Sequence, residues 1–452
     1  MIALLLVLVA QAAPQKGLTL RELQERARKN DPRAMQAVAQ LENVQGKRDE
    51  AHWAFFPSFN TVGYIAGPTQ EHRLLGGDTD SNPTDPSHLT PGSIGTGWFH
   101  GEQGVVGHLE VQAMLPIWTF GKLTAGKKAL SHLVGATEAL LQRARDQSAF
   151  DVARAYWGYQ TSRNAESSAQ KIRDRLKDAQ HTAQNLLAQK SDQISKSDAL
   201  KLDYLAEEIE ATLAATLKNR ALAMTGLRLL VGAQPNEELP IVLQDLPDVP
   251  PTPNADEVLR RALQQRPETK AANEALSGRQ AMVDLARARL WPDFGLVGGF
   301  GFTTTTNADN PTSPFVNNPY HSASGYIALG MQATFDVPQK LARLRQAEAD
   351  LHEAAAMQLG AQQLVRLDLQ QALGDLSEAR VRVDRYSKET QIGKQLATQA
   401  GVAFDSGLGD AREFLEGTLL YARADGERLR ALYDAQLAWA ALEKAAGGPL
   451  SP

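Results

Sequence analysis

Residues 105–115 read Val-Val-Gly-His-Leu-Glu-Val-Gln-Ala-Met-Leu, and the period of this stretch decides what the chain can be. Its odd positions, Val105, Gly107, Leu109, Val111, Ala113 and Leu115, are small or apolar, whereas the even ones include His108, Glu110 and Gln112. Alternation at every second residue puts the two sets on opposite faces of an extended strand. About ten residues is also the length that a tilted strand needs to cross a bilayer. Three more stretches alternate: 59–66, the least regular; 294–302, through Phe294, Leu296, Gly298, Phe300 and Phe302; and 326–335, through Ile327, Leu329, Met331, Ala333 and Phe335. Polar loops rich in Gly and Pro, 68–104 and 303–325, join the strands in pairs and read as long and exposed. On alternation alone, a soluble β-hairpin with one wet face fits equally well.

Outward from the strands the period changes to that of a helix. Proline is absent from 117–234 and from 339–448, and both blocks are rich in good helix formers. Apolar residues recur three and four apart, as in Leu202, Leu205, Ile209, Leu213 and Leu217, and in Leu432, Ala435, Trp439 and Leu442. This is a coiled-coil-like pattern. Lys190-Ser191-Asp192-Gln193 and Asp405-Ser406-Gly407-Leu408-Gly409 favour turns, so each block folds back as a helical hairpin. The first arm, residues 122–189, would be on the order of 100 Å long, more than an ordinary globular domain accommodates.

The two halves are one design used twice. Glu22, Arg26, Ala27, Pro32, Ala37, Leu41, Gln45 and Pro57 return at a constant spacing as Glu257, Arg261, Ala262, Pro267, Ala272, Leu276, Gln280 and Pro292. Gly232 and Gly447 close the two halves, which divides the chain into repeats 18–234 and 254–448. Residues 235–253, with six of the 22 prolines, form a stiff extended connector rather than a packed element. At the amino terminus an apolar run, 2–10, precedes Ala10-Gln11-Ala12, so 1–13 reads as a secretory signal peptide.

Composition excludes much else. The 452 residues carry 47 Lys and Arg against 52 Asp and Glu, giving no basic footprint for nucleic acid. The absence of cysteine removes thiol catalysis, disulfides and Cys-ligated zinc. The nine histidines are never closer than the eight positions between His100 and His108, and His72, His88 and His100 read as solvated loop residues. Phosphate-cradling, dinucleotide-binding and serine-hydrolase motifs are all missing from the sequence. The chain is read as a non-enzyme without cofactor or metal.

Four membrane strands cannot close a barrel, and an open edge in lipid leaves backbone groups unpaired. Copies of the chain must therefore share one: two would give eight strands and three would give twelve. At this point the order of motifs resembles the TolC-like outer-membrane efflux proteins over almost the whole chain. The resemblance rests on Asn30-Asp31-Pro32 and Arg266-Pro267, on Phe56-Pro57 and Trp291-Pro292, on the strand exit Leu115-Pro116-Ile117-Trp118-Thr119-Phe120-Gly121-Lys122, and on Gly407-Leu408-Gly409-Asp410 before Phe414-Leu415. It implies an α+β membrane protein, internally duplicated, whose homotrimer forms a twelve-stranded β-barrel in the outer membrane and a helical barrel in the periplasm. Such a protein is a passive exit duct of tripartite efflux or type I secretion. It docks with a periplasmic adaptor and an inner-membrane pump of the RND or ABC type. The alternative on the residues alone is an exported coiled-coil scaffold or adhesin that conducts nothing.

Glu413 and Glu416 stand three apart on one helix face. The resemblance puts this pair, with Phe404, at a periplasmic gate; an ordinary solvated face is the alternative. Gly409 replaces the basic latch of some relatives. The hairpin tips, Ser191, Asp192, Gln193 and Asp198 in one repeat and Gly407, Leu408, Gly409 and Asp410 in the other, are candidate adaptor contacts. Trp53, Phe55, Phe56, Trp118, Phe120 and Trp291 fit a membrane-interface girdle, or packing where helix meets strand.

Overall fold

The structure is a computed structural model that describes residues 17–69, 104–189, 194–234, 237–306, 321–406 and 408–450. The expected signal peptide, the loop histidines His72, His88 and His100, and the tip residues Ser191, Asp192, Gln193 and Gly407 lie outside the described residues. The chain runs α1 (Leu20–Asn30), α2 (Pro32–Trp53), β1 (Ser58–Thr69), β2 (Gly104–Trp118), α3 (Lys122–Ala188) and α4 (Lys196–Leu230). The second half repeats the order with α5 (Ala255–Gln265), α6 (Pro267–Ala288), β3 (Asp293–Thr305), β4 (Ser322–Gln332), α7 (Val337–Asp405) and α8 (Ala411–Ala445). Contacts divide it into two compact units: Gly46–Ser131 with Gly278–Leu351, and Met1–Gln45 with His132–Ser277 and His352–Pro452. Both halves of the chain contribute to both units.

The first unit holds a four-stranded antiparallel sheet in the order β1-β2-β3-β4, with β1 and β4 at its edges. The expected strands are all present, with one correction. β4 begins at Ser322 and stops at Gln332, so Ala333 and Phe335 lie beyond it. Alternation continues through these residues, but Pro338 fits the first turn of α7, where its missing N–H costs nothing. β3 and β4 also take up both ends of the expected loop 303–325.

In the second unit, Thr19 and Glu22 form a capping box that starts α1. Each repeat opens with two helices, because Pro32 and Pro267 begin new helices at the matching breaks. The breaks carry inverted charges. Asp31 accepts from Arg33, which also bonds Asp151 on α3, whereas Arg266 bonds Glu268 and Asp368 on α7. Each break is thereby tied to the long helix of its own repeat.

The apolar stripe of α4 packs as its spacing dictates through Leu202, Leu205, Ile209 and Leu213, with one correction. Thr216 is buried where the stripe continues, and Leu217 is 40% exposed. At a rotation of 100° per residue, 216 stays closer to the axis of the stripe than 217. The connector also departs from expectation, because it is extended yet packed. Leu239, Ile241 and Leu246 are buried against Leu23, Tyr156, Leu227 and Leu432. Its backbone is satisfied by Leu18, which pairs with Ile241, by the side chain of Gln160 on Val242 O, and by Gln436 on Pro247 O. The prolines fix an extended path and the alternate residues supply the anchors.

Candidate functional site

Two places carry the functional signals: the sheet in one unit, and the ends of the long hairpins in the other.

Cross-strand register sorts the sheet into two faces, since paired residues point the same way. One row is Phe59, Ala113, Gly298 and Ile327; the next on that face is Thr61, Val111, Phe300 and Gly325; the next is Gly63, Leu109, Phe302 and Ala323. Toward the opposite end of the strands the same face continues with Leu115, Leu296 and Leu329. No charged residue occurs in any of these rows. The other face carries Asn60, Gln112, Gly299 and Tyr326, then Val62, Glu110, Gly301 and Ser324, then Tyr64, His108, Thr303 and Ser322. Here His108 stacks on Tyr64 at 4.9 Å and bonds Thr303 at 2.8 Å, and Gln112 donates to Glu110. The Tyr326 ring lies over Gly299, where a Cβ would come within 2.5 Å of it.

The apolar face is bare: Ile327 is 81% exposed, and Phe59, Phe300, Phe302 and Leu329 are exposed as well. A surface this apolar and this continuous is a membrane or partner face. Aromatic residues collect at one end of the strands, where Phe120 stacks on Trp291 at 5.2 Å, Trp118 meets Phe120 edge-on at 5.9 Å and Phe294 is tilted against it at 6.4 Å. Trp53 and Phe56 pack together at 4.8 Å and are exposed. Phe120 holds a left-handed backbone, φ +50°, beside Gly121 at +88°, and the pair makes the sharp passage from β2 into α3. Among the described residues no helix is long and apolar enough to cross a membrane.

At the hairpin ends Glu413 and Glu416 are exposed on α8 and line a groove of about 440 Å³ with Leu396, Gln399, Ala403 and Leu420. Phe404 is not on that surface. It is 1% exposed and stacks on Phe414 at 5.4 Å. The two long helices close up where Gly393 meets the backbone of Tyr421 and Gly417 meets that of Ala397. Asp410 caps α8 by accepting from Arg412 N, and Leu408 projects, 88% exposed. Gly409 lies so close to Ala403 that a Cβ would approach its side chain to 2.6 Å. Across the hairpins, Asp198 completes a capping box with Ser195, whose hydroxyl, helped by Lys201, holds the carboxyl below its ordinary range.

Sequence reasoning missed one contact. Arg175 of α3 reaches Asp405 at the end of α7 at 2.6 Å and lies over the Phe414 ring at 5.8 Å. It ties the first hairpin to the second, 230 positions apart in sequence; a lone Arg on a helix rich in charge gives no sequence signal. Glu413 and Glu416 make no ion pair with Arg412 or Arg423 among the described contacts. No cluster of three or more metal-ligating side chains occurs among the described residues.

Residues 258–448 match the outer membrane efflux protein family. The matched region is the second repeat, and the first is built to the same order of elements. The chain shares its fold with solved outer-membrane channels. It is similar to the outer-membrane channel OprN, with 20% identity, 95% of this chain and 90% of that one covered, and a TM-score of 0.74. It is similar to the open state of the Neisseria gonorrhoeae channel MtrE, with 20% identity, 95% and 89% covered, and 0.73. It is also similar to CusC, described in terms of transmembrane channel formation, with 16% identity, 95% and 92% covered, and 0.74. No curated protein sequence matches the chain.

Proposed function

We propose that this protein is the outer-membrane exit duct of a tripartite efflux or type I secretion system. The observation that carries the reading is the sheet, with one face apolar and without charge, the other carrying Asn60, Gln112, Glu110, His108 and Thr303, and its edges open at β1 and β4. In hydrocarbon, each edge would leave about five N–H and five C=O groups unpaired, on the order of tens of kcal/mol. Joining β1 of one copy to β4 of the next removes that cost and gives a closed wall, apolar outside and polar inside. Three copies supply twelve strands, the homotrimer that the family resemblance implies. A scaffold that conducts nothing has no use for a two-faced sheet of membrane length.

The chain is then organised as a signal peptide over 1–13, a first repeat over 18–234, a connector over 235–253 and a second repeat over 254–448. The duct has no catalytic centre; energy comes from an inner-membrane pump of the RND or ABC type, reached through a periplasmic adaptor. Glu413 and Glu416 line the periplasmic end as a charged constriction, with Phe404 bracing the helix pair behind them. Asp198, Leu408, Gly409 and Asp410 belong to the surface that the adaptor meets, and the expected contacts Ser191, Asp192, Gln193 and Gly407 lie outside the described residues. Membrane fractionation with gel migration of unheated samples tests the reading. Recovery in the outer membrane as a band of three chains that heating converts to one is expected. A water-soluble single chain would reject it.

A further inference from the structure

α3 follows β2 and α7 follows β4, and both helices begin with a basic surface. Over the first two turns of α3 the sequence is KLTAGKKA, and over those of α7 it is VPQKLARLR. Each span carries three cations, Lys122, Lys127 and Lys128 or Lys340, Arg343 and Arg345, and no acid. Neither helix has an acidic residue in its first turn. The positive end of a helix dipole favours acids and opposes cations, so this placement costs stability and it occurs twice, in different sequences. Nearby acids answer only part of the charge. Asp293 pairs with Lys122, and Asp336 lies 3.3 Å from Lys340 and 3.9 Å from Arg343. Lys127 meets His52 rather than a carboxylate. Lys128 and Arg345 are exposed and have no ion pair among the described residues.

The surroundings of these cations are apolar on the sheet side. Trp118 and Trp291 are exposed at the strand ends, and Phe335, just before α7, is 90% exposed. An aromatic belt with cations within about 12 Å of it along the helix matches the step from hydrocarbon to headgroup, where long basic side chains snorkel toward phosphate.

We propose that these two basic openings form a collar that binds anionic phospholipid headgroups in the periplasm-facing leaflet. The inference rests on the membrane reading of the sheet given above. Phospholipid, rather than free phosphate, is the occupant because the exposed aromatic and apolar side chains border the cations and a soluble anion would leave them in water.

The test uses the full chain reconstituted in phosphatidylcholine vesicles containing either brominated phosphatidylglycerol or brominated phosphatidylcholine. Bromine quenches tryptophan on contact, and Trp118 and Trp291 report from the belt. The wild type is expected to prefer phosphatidylglycerol about three- to tenfold at low salt. The triple variant Lys127→Gln, Lys128→Gln, Arg345→Gln should bring the ratio to about one while quenching by phosphatidylcholine persists. Equal quenching in the wild type, or a preference that survives in the variant, overturns the collar. Loss of the preference in inorganic phosphate but not in chloride of matched ionic strength assigns the site to the free anion and overturns it as well. Absence of quenching by either lipid would instead reject the membrane reading. Unheated gel migration of the variant confirms assembly, and the single change Arg345→Gln, at an exposed position, gives a second measurement should the triple variant misfold.

Discussion

Ile327 and Ala328 are neighbours in the middle of β4 and point to opposite faces, with Gly298 and Val297 as their partners on β3. Placing Arg at each position in turn separates a membrane wall from a soluble sheet. In water, both are surface changes on an open sheet, and each should stay within about 0.5 kcal/mol of wild type. In a bilayer Ile327 sits near the midplane, where Arg on a lipid-facing strand costs about 2–4 kcal/mol per chain. Three chains would share about 6–12 kcal/mol of destabilisation per closed barrel. Ala328→Arg instead faces a wet lumen, on the side that already holds Glu110 and His108, and should cost little. Reversible denaturant unfolding in phosphatidylcholine vesicles, followed by tryptophan emission, measures both. The expected result is a large loss for Ile327→Arg and a loss at least fourfold smaller for Ala328→Arg, by the same figures. Equal small effects would return the sheet to water, and a larger loss at Ala328 would mean that its faces are assigned the wrong way round.

Three further outcomes follow from the second unit. Replacing Glu413 and Glu416 together by Ala should raise basal conductance or weaken block by multivalent cations; unchanged current and unchanged block would leave the pair an ordinary solvated face. Gly409→Ala drives a methyl group into Ala403 and should loosen the tip, read as faster backbone hydrogen exchange across residues 400–415; unaltered exchange would count against the close approach. Burial holds the Asp146 carboxyl above its ordinary range although Arg28 at 3.6 Å pulls it back in part. A raised value in the folded state means that the contribution is present below the usual carboxylate range and is lost as pH rises through the raised one. Asp146→Asn should therefore gain stability relative to wild type at about pH 7, with the gap closing toward about pH 4, and a gap independent of pH would contradict the assignment.

Much of this fold is legible because its elements are long and locally determined. Period-2 alternation locates the strands, and the proline-free blocks end within a few residues of α3, α4, α7 and α8. The limits of β4 are not legible, since Ala333 and Phe335 continue the alternation and only the start of α7 ends it. The packing of the connector is hidden for a different reason. Six prolines announce an extended path, but whether Leu239, Ile241 and Leu246 are wet or buried depends on helices distant in sequence. At the tip, the alternation of turn residues locates the hairpin ends, and the spacing of Glu413 and Glu416 puts them on one face. Phe404 illustrates the limit: an aromatic beside a turn has the same local signal whether it lines a pore or, as here, stacks on Phe414. The Arg175–Asp405 pair is tertiary in origin and leaves no trace in either local sequence.

Planar-bilayer recording with the purified full chain tests the central claim most directly. If several copies close a wall from these four strands apiece, adding the protein should raise the current in discrete steps of uniform size. A flat trace, from protein that stays in the aqueous chamber as single folded chains, would contradict the account.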